Sequence, residues 1–126
     1  MRENPKHAIG ASKAPLGLVP KTAIAELSRV MELGAKKYGA YNWRENSVSV
    51  QVYIDAARRH LDLVECGEDL DDESRASHYA HVMACMSIVL DAIHTGTLVD
   101  DRHKSEAAVR ALKAISEPQG INELDS

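Results

Sequence analysis

The chain of 126 residues is long enough for one domain and too short for two with separate cores. It contains no Phe and a single Trp, so Leu, Val, Ile, Ala and Met must build the core, a palette that favours helices over sheets. A formal net charge of −4 argues against direct nucleic-acid binding, which calls for a basic face, yet leaves room for a small phosphate compound because a bound metal reverses the local sign.

Residues 1–20 hold three of the four prolines and show no sustained period. They read as an extended arm, with Leu16, Leu18 and Val19 docking on the body. A helix is predicted from Lys21, after Pro20, a residue suited to a helix start. Ile24, Leu27, Val30 or Met31, Gly34 and Tyr38 recur at helical spacing. Gly34 costs helix stability relative to Ala, which points to a close approach by another backbone. Gly39 is a natural stop.

A polar, aromatic connection runs from Tyr38 to Asn46 and includes Tyr41, Asn42, Trp43 and Arg44. The second helix is predicted from about Ser49 to Cys66, with Val50, Tyr53, Ala57, Leu61 and Val64 as its inner stripe, and Gly67 ends it. An acidic loop follows, and the third helix is expected to open with Asp71 or Asp72 as N-cap. Its main stripe is Tyr79, Met83, Met86, Leu90 and Ile93, flanked by His78, Val82, Cys85, Val89 and Ala92, so burial on more than one side is expected. A shorter helix runs from Ser105 to Ile115, and 117–126 read as a flexible tail. The expected fold is all-α, with three main helices plus a C-terminal helix in one domain, 21–116. No credible strand is seen. Apolar faces this wide suggest completion by oligomerisation.

Cys66 and Cys85 lack zinc-knuckle spacing, and no hydrophobic secretory segment precedes the domain, so reduced thiols in the cytoplasm are expected. No apolar run approaches the roughly 18 residues of a membrane span.

His78 and His81 stand at i, i+3, on one side of a helix. With a carboxylate-rich loop before them and His60 facing inward on the preceding helix, they form a candidate divalent-metal site. A lone histidine among apolar neighbours would read instead as a hydrogen-bonded core residue. Asp55 either reaches the same space or is solvated. Glu68 and Asp71 are candidate ligands or caps, while Asp69, Asp72 and Glu73 read as solvent-facing charges. Lys36 and Lys37 suit a helix C-terminus, or else, with Arg44, Arg58 and Arg59, they supply cations for phosphates. Tyr38, Asn42 and Trp43 would then offer a base something to stack on and hydrogen-bond to.

Several of these pieces occur together: Lys13 to Pro20, Gly34-Ala-Lys-Lys-Tyr-Gly39, Asn42-Trp43-Arg44, Arg59-His60-Leu61, Gly67-Glu68-Asp69 with Asp71 and Glu73, and His78-x-x-His81. From Lys13 to Asp91 the chain resembles the phage-type dATP/dGTP diphosphohydrolases, which belong with the MazG-like all-α nucleotide pyrophosphohydrolases. The resemblance implies cleavage of a purine deoxynucleoside triphosphate between its α- and β-phosphates. Monophosphate and pyrophosphate are then the products, with dGTP the first substrate and dATP the second.

The wider superfamily holds Mg²⁺ or Mn²⁺ with acidic pairs on two helices. By position the second pair falls on His78 and His81 and the first around Asp55 to His60, a departure that favours Mn²⁺. The implied metal ligands are Asp55, His60, Glu68, His78 and His81, and Glu68 or Asp71 would accept the proton of the attacking water. Arg58, Arg59, Lys36 or Lys37 would hold the pyrophosphate, and family similarity suggests a dimer or tetramer. Two other classes stay open: a helical interaction module with core histidines, and a small metal-binding regulator.

Overall fold

The computed structural model describes residues 4–119. Its helices are α1 (Pro5–Ala11), α2 (Lys21–Tyr38), α3 (Asn42–Glu45), α4 (Val50–Glu65), α5 (His78–Thr95) and α6 (Glu106–Ser116), with a 3₁₀ turn at Leu16–Leu18. Two short strands, β1 (Val48–Ser49) and β2 (Leu98–Val99), pair in parallel, Val48 opposite Leu98 and Ser49 opposite Val99. The architecture is an all-α bundle, as the composition implies, and the strand pair is a feature that periodicity did not disclose.

The long helices begin and end on local chemistry. Ser49 caps α4 by accepting from the Val52 amide, Ser77 caps α5 through the Tyr79 amide, and Ser105 caps α6 through the Ala108 amide. Gly39 (φ 91°) and Gly96 (φ 75°) close α2 and α5 in a backbone region that L side chains avoid. Asp101, beyond β2, reaches back to the start of α4, its carboxylate accepting from Ser49 Oγ at 2.5 Å and from the Gln51 amide at 3.0 Å. That clasp and the strand pair fix the segment after α5 against the helix that carries His60.

Helix α5 packs against both α4 and α2. One core cluster joins Val30 of α2 to Ala80 and Ala84 of α5, and a second joins Trp43, Val48 and Ala92. The alanines let the helices approach closely, so the packed face of α5 runs through His78, Ala80, Ala84, Val89 and Ala92. This corrects the expected main stripe: Tyr79, Leu90 and Ile93 are each more than half exposed. Helix α5 is apolar nearly all round, and periodicity alone could not choose its inner side. On α4, Val50 and Ala57 are buried as expected, whereas Leu61 is exposed.

Three other expectations are revised. The arm is not wholly extended, since Asn4 caps α1 and Pro5 opens it, and Leu16, Leu18 and Val19 are exposed rather than docked. Helix α5 starts at His78, later than the acidic loop suggested, because Ser77 rather than Asp71 or Asp72 is its cap. No backbone approaches Gly34, where an added Cβ would meet nothing within 4 Å. Of the expected tail, 120–126 lie outside the described residues.

Candidate active site

The acidic connection between α4 and α5 folds back on itself. Leu70 and Ser77 form an antiparallel bridge, the Asp71 amide donates to the Ala76 carbonyl, and the Arg75 amide donates to the Asp71 carbonyl. Arg75 takes a left-handed backbone (φ 62°), costly for a residue with a side chain. The result is a tight loop that presents Asp71 towards the histidines. Asp71 Oδ2 accepts from the amides of Glu73 and Ser74. The Ser74 bonds come first among the causes that hold its carboxyl below the usual range.

His60 comes from α4, and His78 and His81 come from the first turn of α5. The Nδ1 atoms of His60 and His78 are 2.8 Å apart. His81 stacks on His60, with ring centroids 4.5 Å apart and planes within 6°, and its Nε2 lies 2.7 Å from Ser74 Oγ. His78 is fully buried. Its Nε2 faces Glu68 Oε1 at 3.3 Å but makes no hydrogen bond. Burial is the main cause that pushes both His60 and His81 below the ordinary histidine value, and neighbouring imidazoles push the same way.

Ligand atoms of His60, Asp71 and His78 lie within 4.8 Å of one another, one from each residue. The donor set fits a divalent cation. Two imidazoles and an ionised carboxylate converge, and the 2.8 Å between ring nitrogens approaches the about 3 Å between neighbouring ligand atoms on an octahedral ion with bonds of about 2.1 Å. Glu68 would stand behind His78 and fix the ring, as carboxylates commonly do for metal-bound imidazoles.

An open cleft of about 720 Å³ runs between α2 and α5 beside this cluster, and His81 forms part of its wall. Its wall also includes Tyr38, Tyr41, Asn42, Trp43 and Arg44. Asp91 ties two of these residues together. Its carboxylate accepts from Arg44 Nε and Nη2 at 2.8 and 3.0 Å and from Trp43 Nε1 at 2.7 Å, which holds its pKa at about 2. Arg44 also lies over the Tyr41 ring at 4.3 Å.

The structure brings together His60, Asp71, His78, His81 and Glu68, and lines the cleft with Tyr38, Asn42, Trp43 and Arg44. Asp55 is not among them. It sits five residues before His60, about 140° around the helix, where it is exposed and accepts from Gln51 Nε2. Arg58 and Arg59 are exposed on α4, but Arg59 is close enough to His60 to depress its pKa. Lys37 pairs with Glu73 at 3.2 Å and also acts on His81, so Glu73 is a partner rather than a free surface charge. Lys36 is exposed in the last turn of α2. Sequence reasoning missed Ser74, Tyr41 and Asp91. Only Asp91, a carboxylate alone in the apolar run of α5, left a signal.

An all-α bundle with a histidine–carboxylate cluster of metal-binding type beside a cleft partly lined by aromatic residues is the class of protein that this structure defines. No solved structure matches the chain. The family described as dATP/dGTP diphosphohydrolase, N-terminal, matches residues 3–102, and the chain belongs to it. Over 95 residues it is 33% identical to the dATP/dGTP diphosphohydrolase of Salmonella phage PMBT28, an alignment covering 75% of this chain and 32% of that relative. The chain thus spans about a third of the length of the curated relative it matches.

Proposed function

We propose that this chain is a metal-dependent pyrophosphohydrolase that converts a purine deoxynucleoside triphosphate, dGTP first and dATP second, to the monophosphate and pyrophosphate. The convergence of His60, Asp71 and His78 beside a nucleotide-sized cleft carries the reading, and membership of the dATP/dGTP diphosphohydrolase family supports it. Such a cleavage chiefly needs charge neutralisation at the phosphates and an in-line nucleophile. Bound Mg²⁺ or Mn²⁺ would supply the first and make a water more acidic, and two imidazoles among the donors favour Mn²⁺.

The chain's own groups divide the remaining tasks. Asp71, kept ionised by its amide bonds, is a poor proton acceptor and a suitable ligand. Glu68, which faces the opposite ring nitrogen of His78, would orient that imidazole rather than take the water's proton. Lys37, Lys36 and Arg59 would meet the phosphates. Tyr38, Asn42 and Trp43 would meet the base and sugar, with Arg44 and Asp91 holding Trp43 in place.

Residues 21–116 would form the catalytic domain. The exposed apolar residues of α5 and α6, including Tyr79, Leu90, Ile93, Leu112 and Ile115, favour a homo-oligomer, dimer or tetramer. No helix is long and apolar enough to cross a membrane, and the host cytoplasm is the compartment proposed. The test is incubation with each deoxynucleoside triphosphate and Mn²⁺ or Mg²⁺, followed by chromatography. Release of dGMP or dAMP together with pyrophosphate is expected. Orthophosphate as the first product, or no product from any nucleotide, would overturn the proposal.

A further inference from the structure

Gly34 lies inside α2, just over a turn before its end, where glycine forms helix less readily than alanine. The usual reasons for a glycine at such a cost are missing. Its backbone does not take the left-handed conformation, since the glycines with positive φ are 39, 67 and 96. Nor is it a packing contact within the chain: a Cβ built at Gly34 meets no heavy atom within 4 Å. The fold described here would accept a side chain.

That vacancy falls in the wall of the cleft, within a turn or so of Met31, Ala35 and Tyr38, and Cys85 and Ile88 of α5 line the same cleft. A helix without a side chain presents a bare, nearly flat strip of backbone. Tyr41 and Trp43, with rings 5.3 Å apart, line the same cleft. A planar heteroaromatic ring is the kind of ligand that uses both features, an aromatic side chain against one part and an unobstructed surface beneath the rest.

We propose that Gly34 sets the room for the base of the purine nucleotide, its missing side chain leaving part of the cleft wall bare for the ring. This rests on the hydrolase reading above and adds a specificity-determining residue to it. Gly34→Ala introduces one methyl group into the space the base needs, and Gly34→Leu fills it. Both exchanges favour the helix, so the proposal predicts opposite movements of stability and affinity.

The experiment measures thermal unfolding, dGMP binding by titration calorimetry, sedimentation, and KM and kcat for dGTP and dATP with Mn²⁺. The variants are expected to unfold at the same temperature as the parent or higher. KM and the dGMP dissociation constant should rise about tenfold or more, the scale of one misplaced methylene in a binding pocket, with kcat less affected in Gly34→Ala. Unchanged dGMP affinity in Gly34→Leu overturns the proposal. If sedimentation changes while dGMP affinity does not, Gly34 faces a second copy of the chain and the proposal is likewise overturned. Absence of turnover in the parent would sink the hydrolase reading alone, because dGMP binding tests the pocket without it.

Discussion

The Nδ1 atoms of His60 and His78 face each other at 2.8 Å, although the rings come from different helices. Two unprotonated ring nitrogens at that distance would repel, so a shared proton or a cation must lie between them. Asp71 adds a carboxylate to the same space. His78→Ala is therefore expected to abolish turnover and Mn²⁺ uptake, with helicity by circular dichroism largely retained. Because His78 is fully buried, its loss should also destabilise the chain by about 1–3 kcal/mol. Normal turnover in a folded variant would remove His78 from the site.

Ser74 gives a second prediction. Its hydroxyl oxygen lies 2.7 Å from His81 Nε2 and accepts from the Ala76 amide, and its own amide donates to Asp71. It orients both a cleft residue and the Asp71 carboxylate. Ser74→Ala should lower kcat on the order of 10- to 100-fold, the usual loss when the partner of a site residue is removed, while Ser74→Thr should restore most of it. Equal kcat in the alanine variant and the parent would show that the contact is incidental.

Asp91 can be followed optically, because Trp43 is the only tryptophan. Its carboxylate joins the Trp43 indole to the Arg44 guanidinium. Asp91→Ala should release the indole from its buried seat, shift its emission to longer wavelength and raise KM for the nucleotide. Since Asp91 is held at about pKa 2, the parent's emission should stay constant from neutral pH down to about that value as long as the chain remains folded. An unshifted spectrum in the variant would show that packing alone seats Trp43.

The histidines set the pH response of the metal-free protein. Burial lowers the folded pKa of His60 and His81 below 6.5. The unfolded chain therefore binds more protons as the pH falls below that value. The stability from keeping these rings neutral is complete above about pH 6.5 and is lost as pH drops through their lowered folded values. In the presence of a chelator the melting temperature should fall between pH 7.5 and pH 5, and His60→Gln should flatten the profile. Higher stability at pH 5 than at pH 7.5 would contradict this.

Much of the fold was legible because the signals are local. Pro20 and Gly39 bracket α2, and Ser49 and Cys66 flank α4 within a residue of the expected limits. The inner face of α5 was not legible, because alanine carries little hydrophobic signal and yet permits the closest packing. The strand pair was not legible either, since two residues on each side show no period. At the site, His60 and His78 could be named as ligands from type and spacing, whereas Asp71 was expected to accept the water's proton or to cap a helix. The division between Asp71 as a cluster member and Glu68 behind His78 depends on how the loop turns at Arg75, and a left-handed arginine is not a pattern that sequence announces.

Metal binding at His60, Asp71 and His78 can be tested directly. Crystals of the protein soaked in Mn²⁺ and measured at the manganese absorption edge should show an anomalous peak bounded by His60, Asp71 and His78. A strong peak elsewhere with this cluster empty, or no peak at Mn²⁺ concentrations that support turnover, would contradict it.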